Sequence, residues 1–195
     1  NGTRQDVDTR WQKAFRIGRK LISDTVRTLL EVAPVDLVVV PGNHDVQSAW
    51  FLGEVLAAEF DGVENVRIDN RPILRKPVQS ERNLILYTHG KDEKRKDLPN
   101  LLAQEAPKAW GETTFREIHV GHLHKLEEEM QNGVLVRQFS SLSGTDAWHY
   151  LKGFAKARRG AQGILWHPTQ GPVDTLAHWF PPTEEEKTRT EPLLT

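Results

Sequence analysis

The sequence contains no cysteine. Disulfides, thiolate zinc sites, iron–sulfur clusters and cysteine nucleophiles are thereby excluded. Any metal must be held by nitrogen and oxygen, and eight histidines are available. An excess of one charge sign is also missing. Lys and Arg number 26, Asp and Glu 27, for a net charge of −1. Bulk charge therefore does not hold nucleic acid, although a local basic patch still can. Long apolar runs are absent too. The longest, such as Leu37 to Val40, fall far short of the roughly twenty residues that cross a bilayer. No secretory signal is visible, and the expected location is cytoplasmic. There is no P-loop, no dinucleotide fingerprint and no serine in a nucleophile elbow.

What is present suits one globular domain. The chain has 195 residues, 37% of them hydrophobic, enough for a proper core. We expect a domain over residues 1–180 and a poorly ordered tail over 181–195, where Pro, Glu, Thr and Lys dominate. Near-helical spacing of Trp11, Phe15, Ile22, Val26, Leu29 and Leu30 predicts a helix over 9–33, capped by Asp8 or Thr9. A second helix is expected over 47–60. A third is expected over 98–110, with Pro107 able to end it early. Strands are expected at 37–40, 66–68, 84–87 and 115–120. Asn132-Gly133 predicts a type I′ hairpin over 126–139. Two more strands are expected at 161–166 and 173–180. Helices alternate with strands early and strands dominate later, which predicts a layered α/β domain.

Three of these strands run into polar loops that carry histidine. The first leads to Gly42-Asn43-His44-Asp45, the second to His89-Gly90, the third to Gly121-His122-Leu123-His124. Ligands of open α/β sheets bind beyond the carboxyl ends of strands. If the strands are neighbours, Asn43, His44, His89, His122 and His124 form one cluster. Imidazole suits Mn, Fe, Zn, Ni and Cu, and an amide oxygen favours the harder ions among them. On an extended backbone, His122 and His124 would project to the same side. His119 lies within its strand and reads as structural, as do His167 and His178. His149 could pack or line the site.

In this order and strand context, Gly42-Asn43-His44-Asp45, His89-Gly90 and Gly121-His122-Leu123-His124 resemble the last three motifs of the calcineurin-like metallophosphoesterases. The resemblance covers residues 11–180. It implies a four-layer αββα sandwich and a metal-dependent phosphoester hydrolase using two divalent ions, with Mn first and Fe, Zn or Mg as alternatives. It implies that Asn43, His89 and His122 bind one ion and His124 the other. His44 would protonate the leaving oxygen, and Asp45 would brace the loop. The family's opening Asp-x-His and Gly-Asp motifs do not occur in this sequence. The implied fold is then N-terminally incomplete, with one metal site short of ligands. A preceding segment or a second chain would complete it.

The substrate is open among three readings. The stretch Ser141 to His149 resembles the DNA-exonuclease and phage-encoded branches of the family, which implies a phosphodiesterase or nuclease acting on DNA. Lys91, Lys94, Arg95 and Lys96 could meet phosphates, as could Lys152, Lys156, Arg158 and Arg159, and Trp148 and Tyr150 could stack on bases. A phosphomonoesterase or small-molecule phosphodiesterase would use the same machinery. The third reading is an inactive, metal-poor binding scaffold, motivated by the missing carboxylates.

Overall fold

The computed structural model describes residues 10–143 and 158–181. Two compact units divide the chain, Asn1–Lys76 and Pro77–Thr195. Among the described residues, no helix is long and apolar enough to cross a membrane.

The first unit is a βαβ arrangement behind a long helix. Helix α1 (Trp11–Leu30) is followed by β1 (Val35–Val38), α2 (Val46–Glu59) and β2 (Val66–Asp69). Strands β1 and β2 pair in parallel, Val35 with Val66 through Val38 with Asp69. A parallel pair needs a crossover, and α2 supplies it. The ladder extends past β1, because the Val39 N–H donates to the Asp69 carbonyl at 3.0 Å. One stripe of α1 (Ile22, Val26, Leu30) packs with Leu52, Leu56 and Phe60 of the α2 segment and with Val35, Leu37, Val66 and Ile68. Val26, Leu56 and Phe60 are the buried members, each worth about 1.5–3 kcal/mol. Trp11 and Leu29, placed on the apolar stripe by spacing alone, are exposed instead. Two of the helices are also tied by charge. Glu59 accepts from Arg19 at 2.9 Å, from Arg27 at 3.1 Å and from the Ser23 hydroxyl.

A buried lysine closes this unit. Lys76 is 1% exposed. Its Nζ donates to the Asp69 carbonyl at 2.8 Å and lies 3.4 Å from the Asp69 carboxylate. Arg71 grips the same carboxylate through Nε at 2.9 Å and Nη2 at 2.7 Å. The Arg71 hydrogen bond is the chief reason that the Asp69 carboxyl is held well below its ordinary value; burial pushes the other way and is outweighed. A depressed carboxylate pKa stabilises the fold above the unfolded value and loses that contribution as pH falls. We therefore expect the urea midpoint of the chain to drop as pH is lowered below about 4. Asp69→Asn should flatten that drop. Parallel acid profiles for the two proteins would refute the assignment.

The second unit is built on a mixed sheet in the order β3-β4-β5-β7-β6. Its strands are β3 (Arg75–Ser80), β4 (Asn83–Thr88), β5 (Phe115–Val120), β6 (Glu127–Gln131) and β7 (Val134–Gln138). Strands β4, β5 and β7 are parallel neighbours, and β6 returns antiparallel on β7. Asn132 and Gly133 have φ of 50° and 80°, the two positive values that a type I′ turn requires. On one face of the sheet, Leu84, Leu86, Ile118, Val120, Val134 and Val136 are buried against Leu98 and Leu102. Those leucines lie on α3 (Leu98–Glu105), which follows a 3₁₀ turn at Arg95–Asp97. Pro107 does end this helix, and it also starts another, α4 (Pro107–Glu112). Ala106 at φ −130°, ψ 56° breaks the run, because the residue before proline is pushed out of the α region. Pro107 then occupies the first helical position, where no N–H is needed.

The other face of the sheet is polar yet covered. A hairpin of β8 (Gly160–His167) and β9 (Gly171–Trp179) reaches it. The Asn83 amide donates to the His167 carbonyl at 3.1 Å, and the Trp166 ring lies 6.5 Å from that of His119. Beneath it, Glu117 and Arg137 are 2% and 5% exposed. Arg137 meets both Glu117 oxygens at 3.2 Å through Nε and Nη2, and also binds Glu128. His119 Nε2 stands 2.9 Å from Glu117 Oε2, and its ring meets those of Tyr87 and Phe139 edge-on. His119 is thus a partnered interior residue. Strand β3 has no signal in its own residues, since the Arg-Lys-Pro-Val-Gln-Ser run has neither alternation nor a β-branched cluster.

Candidate functional site

In the first unit, Gly42 to Asp45 turn the chain from β1 into α2. The Gly42 N–H donates to the Asp45 carboxylate at 2.7 Å, across the loop. The Asp45 carbonyl accepts from the Ala49 N–H at 2.7 Å and from the Ser48 hydroxyl at 3.1 Å, opening α2. Asp45 thus closes the loop at one end and starts the helix at the other. Between these anchors, Asn43 is half-buried and the His44 side chain is exposed.

In the second unit, the His89 and His122 loops lie side by side, because β4 and β5 are parallel neighbours in register to Thr88 and Val120. The Gly121 N–H donates to the His89 carbonyl at 3.2 Å, which ties the two strand ends. Gly90 is needed here. Its φ is +80°, and an added Cβ would stand 3.0 Å from Val120 Cβ, a clash on top of a disfavoured backbone. The His122 and His89 rings cross at 70° with centroids 5.0 Å apart. His122 Nδ1 and His89 Nε2 face each other at 3.2 Å. Both rings are half-buried.

The backbone that delivers His122 departs from the extended chain expected for the His-x-His pair. His122 and His124 have φ of 72° and 53°. The Leu123 N–H donates to the Gly121 carbonyl at 2.9 Å, closing a γ-turn centred on His122. With positive central φ this turn is rare and strained. Strain of this kind persists only where surroundings over-determine it. Gln138 supplies such surroundings. It is fully buried, its amide nitrogen donates to the Gly121 carbonyl, and its oxygen accepts from Arg95 Nη2 at 2.6 Å. Arg95 Nη1 reaches Glu127 at 2.8 Å, and Lys125 pairs with the same carboxylate at 2.8 Å. Arg95, a candidate phosphate contact on sequence grounds, is thus committed to holding the loop. The signal for this lay in Gln138, a polar residue ending an apolar strand; nothing in the sequence links it to Gly121 or Arg95.

A non-glycine residue at positive φ predicts an inverted substitution order. His122→Gly should be more stable than His122→Ala by about 1 kcal/mol in urea unfolding, against the usual preference for alanine. An alanine variant equal to or above the glycine variant would show that the turn carries no strain.

The remaining candidates fall as follows. Lys91 is exposed and lies 3.8 Å from Asp92. His124 is half-buried beside the strained turn. Arg158 stacks on Trp179 at 4.5 Å, and Arg159 donates to the Pro181 carbonyl at 2.6 Å. His149, with Trp148, Tyr150, Lys152 and Lys156, lies outside the described residues. Among the described residues, no three of the His, Asp and Glu side chains group to hold a metal ion. The His89–His122 pair itself fits two neighbouring ligands of one ion. Nitrogens about 2.1 Å from a shared ion, at an angle of roughly 100°, stand about 3.2 Å apart.

Comparison with known proteins adds little to this geometry. No protein-family model matches the chain, and no curated protein matches it. Among solved structures, a single mutant of Vps29 from Entamoeba histolytica is similar at 14% identity and a TM-score of 0.43, over 83% of this chain and 89% of that one. By its own elements, the chain is a mixed α/β protein whose five-stranded sheet packs against helices.

Proposed function

We propose that the chain carries a calcineurin-like metallophosphoesterase site and hydrolyses phosphodiesters, nucleic acid first among them. The observation that carries this reading is the approach of His89 Nε2 and His122 Nδ1 at 3.2 Å across a strained turn. Two imidazole nitrogens brought 3.2 Å apart by neighbouring strand ends suit a divalent ion, with Mn the first choice. His89 and His122 would hold it, and His124 would serve the second ion. Carboxylates for that second position would come from a further segment or a second chain. Such ions supply Lewis acidity toward phosphoryl oxygens and activate water.

The chain's own part is positioning and proton transfer. Asp45 holds the loop so that His44 stays presented to solvent at its tip. As the water oxygen bonds to phosphorus and gives up one proton to solvent, the bond from phosphorus to the leaving oxygen breaks and that oxygen departs with its electron pair. His44 gives that oxygen a proton, so that a poor leaving group can go. The test is turnover of an aryl phosphodiester against the matching monoester, with and without Mn. We expect Mn-dependent hydrolysis of the diester alone. We also expect His44→Ala to slow a poor leaving group more than a good one. Equal slowing would remove the acid role, and no turnover together with no saturable Mn binding would remove the enzyme.

A metal-poor binding scaffold is the second reading. It is favoured by the absence, among the described residues, of any three-ligand group. Calorimetric titration with Mn separates the two: the scaffold reading predicts no saturable heat.

A further inference from the structure

Directly beside the Asn43–His44 loop, the first unit holds a cleft of about 310 Å³. Its walls include Pro41 and Val46, the residues that bracket the Gly42–Asp45 turn, together with Gln47, Trp50, Ile73 and Leu74. The volume sits at the lower end for small-molecule sites, and an apolar cavity with few polar groups is the usual composition of one. Val46, Trp50, Ile73 and Leu74 remain exposed around it, an unusual concentration of apolar surface. Two other lining groups, Asn70 and Arg71, are already engaged. The Asn70 amide donates to the Trp50 carbonyl at 3.0 Å and to Glu54 at 2.7 Å, and Arg71 is clamped on Asp69. Their bonds hold the wall, which leaves the Gln47 amide as a side chain able to read a ligand's edge.

We infer that this cleft receives a nucleobase of the phosphoester whose leaving oxygen faces His44. The inference rests on the phosphodiesterase reading and names its substrate class. Trp50, Ile73 and Leu74 all line the cleft, so a flat ring seated in it would meet an indole and aliphatic side chains. Stacking on an indole is tolerant of base identity, because every base presents a π-face, and a single adaptable amide adds only a weak preference. A charged ligand is disfavoured, since the walls are apolar and the one guanidinium is occupied. Because Pro41 and Val46 line the cleft, a base there would lie beside the loop that would handle phosphate. The substrate class is therefore a nucleotide diester, with little sequence preference.

Binding can be read without turnover. The chain is titrated with thymidine and with thymidine 5′-monophosphate, and with ribose 5-phosphate as the ligand lacking a base. The Trp50 indole N–H is followed by NMR and assigned with Trp50→Phe. Saturable shifts of Trp50 and of the Gln47 amide with both thymidine ligands, and none with ribose 5-phosphate, are expected. Leu74→Glu, at an exposed position, should weaken binding about tenfold or more. No saturable shift, or equal shifts with ribose 5-phosphate, overturns the assignment of the cleft. Diesterase turnover without nucleoside binding sinks the cleft alone. Nucleoside binding without turnover under any metal keeps the base site and sinks the hydrolase reading on which its substrate role depends.

Discussion

Arg137→Met is expected to destabilise the chain by about 3–5 kcal/mol. The guanidinium is 5% exposed and grips a carboxylate, Glu117, that is 2% exposed. Replacing it leaves that carboxylate buried with His119 as its remaining ring partner at 2.9 Å. Burial alone pushes the Glu117 carboxyl up, but hydrogen bonds from His119 and Arg137 overcome this and hold it below its ordinary value. In the parent, Glu117 therefore stabilises the fold above its unfolded pKa, and that contribution is lost as pH falls through the folded value. In the variant the balance reverses. Glu117 rises, and acid helps by neutralising a stranded charge. The gap between the two proteins should narrow as pH is lowered toward about 4. Urea unfolding at two pH values measures it. A second variant, Glu117→Leu with Arg137→Met, should recover part of the loss, because removing both charges ends the desolvation cost. A single variant within about 0.5 kcal/mol of the parent would mean that the pair contributes no more than an ordinary surface contact.

His89→Ala is expected to weaken Mn binding by more than about 100-fold, beyond the 10–100-fold that loss of an outer partner costs. His122→Ala should match it, because the two nitrogens stand 3.2 Å apart, close enough to share one ion. His119→Gln supplies the contrast. That ring lies on the covered polar face beside Glu117, so its loss should lower stability and leave metal affinity in place. Calorimetry with Mn reads the first effect, and urea unfolding reads the second. If all three variants bound Mn like the parent, the His89–His122 pair would be a plain hydrogen bond and the metal reading would end. Neither ligand change should unfold the chain, as both rings are only half-buried.

Much of the fold was legible because its pattern is local. The Ile22-Val26-Leu30 stripe, the apolar strands and the Asn132-Gly133 turn follow from periods of 3.6 and 2 and from two positive φ values. The proline at 107 marked a boundary, but its second role as a helix start depends on where Ala106 breaks the run. Strand β3 is not legible in the sequence, because its place comes from its neighbour β4 and its own residues carry no strand pattern. Register also shifted the first strand, from 37–40 to Val35–Val38, since an apolar run does not say where pairing begins.

By itself, the sequence determined which chemistry is open to this chain: nitrogen and oxygen donors only, histidine after three strands, and glycine at the turns that need it. Those are properties of residue type and short spacing, and they survive any folding of the rest. Tertiary structure alone decided that His89 and His122 meet, because 33 residues separate them and only parallel pairing of β4 with β5 aligns their ends. It also decided that His122 sits on a strained turn held by Gln138 and Arg95. His119 reads as structural from its place in a strand, but the face it shares with Glu117 is interior only because the β8–β9 hairpin covers it. Burial is a property of what lies opposite, and a strand does not carry that information in its own letters.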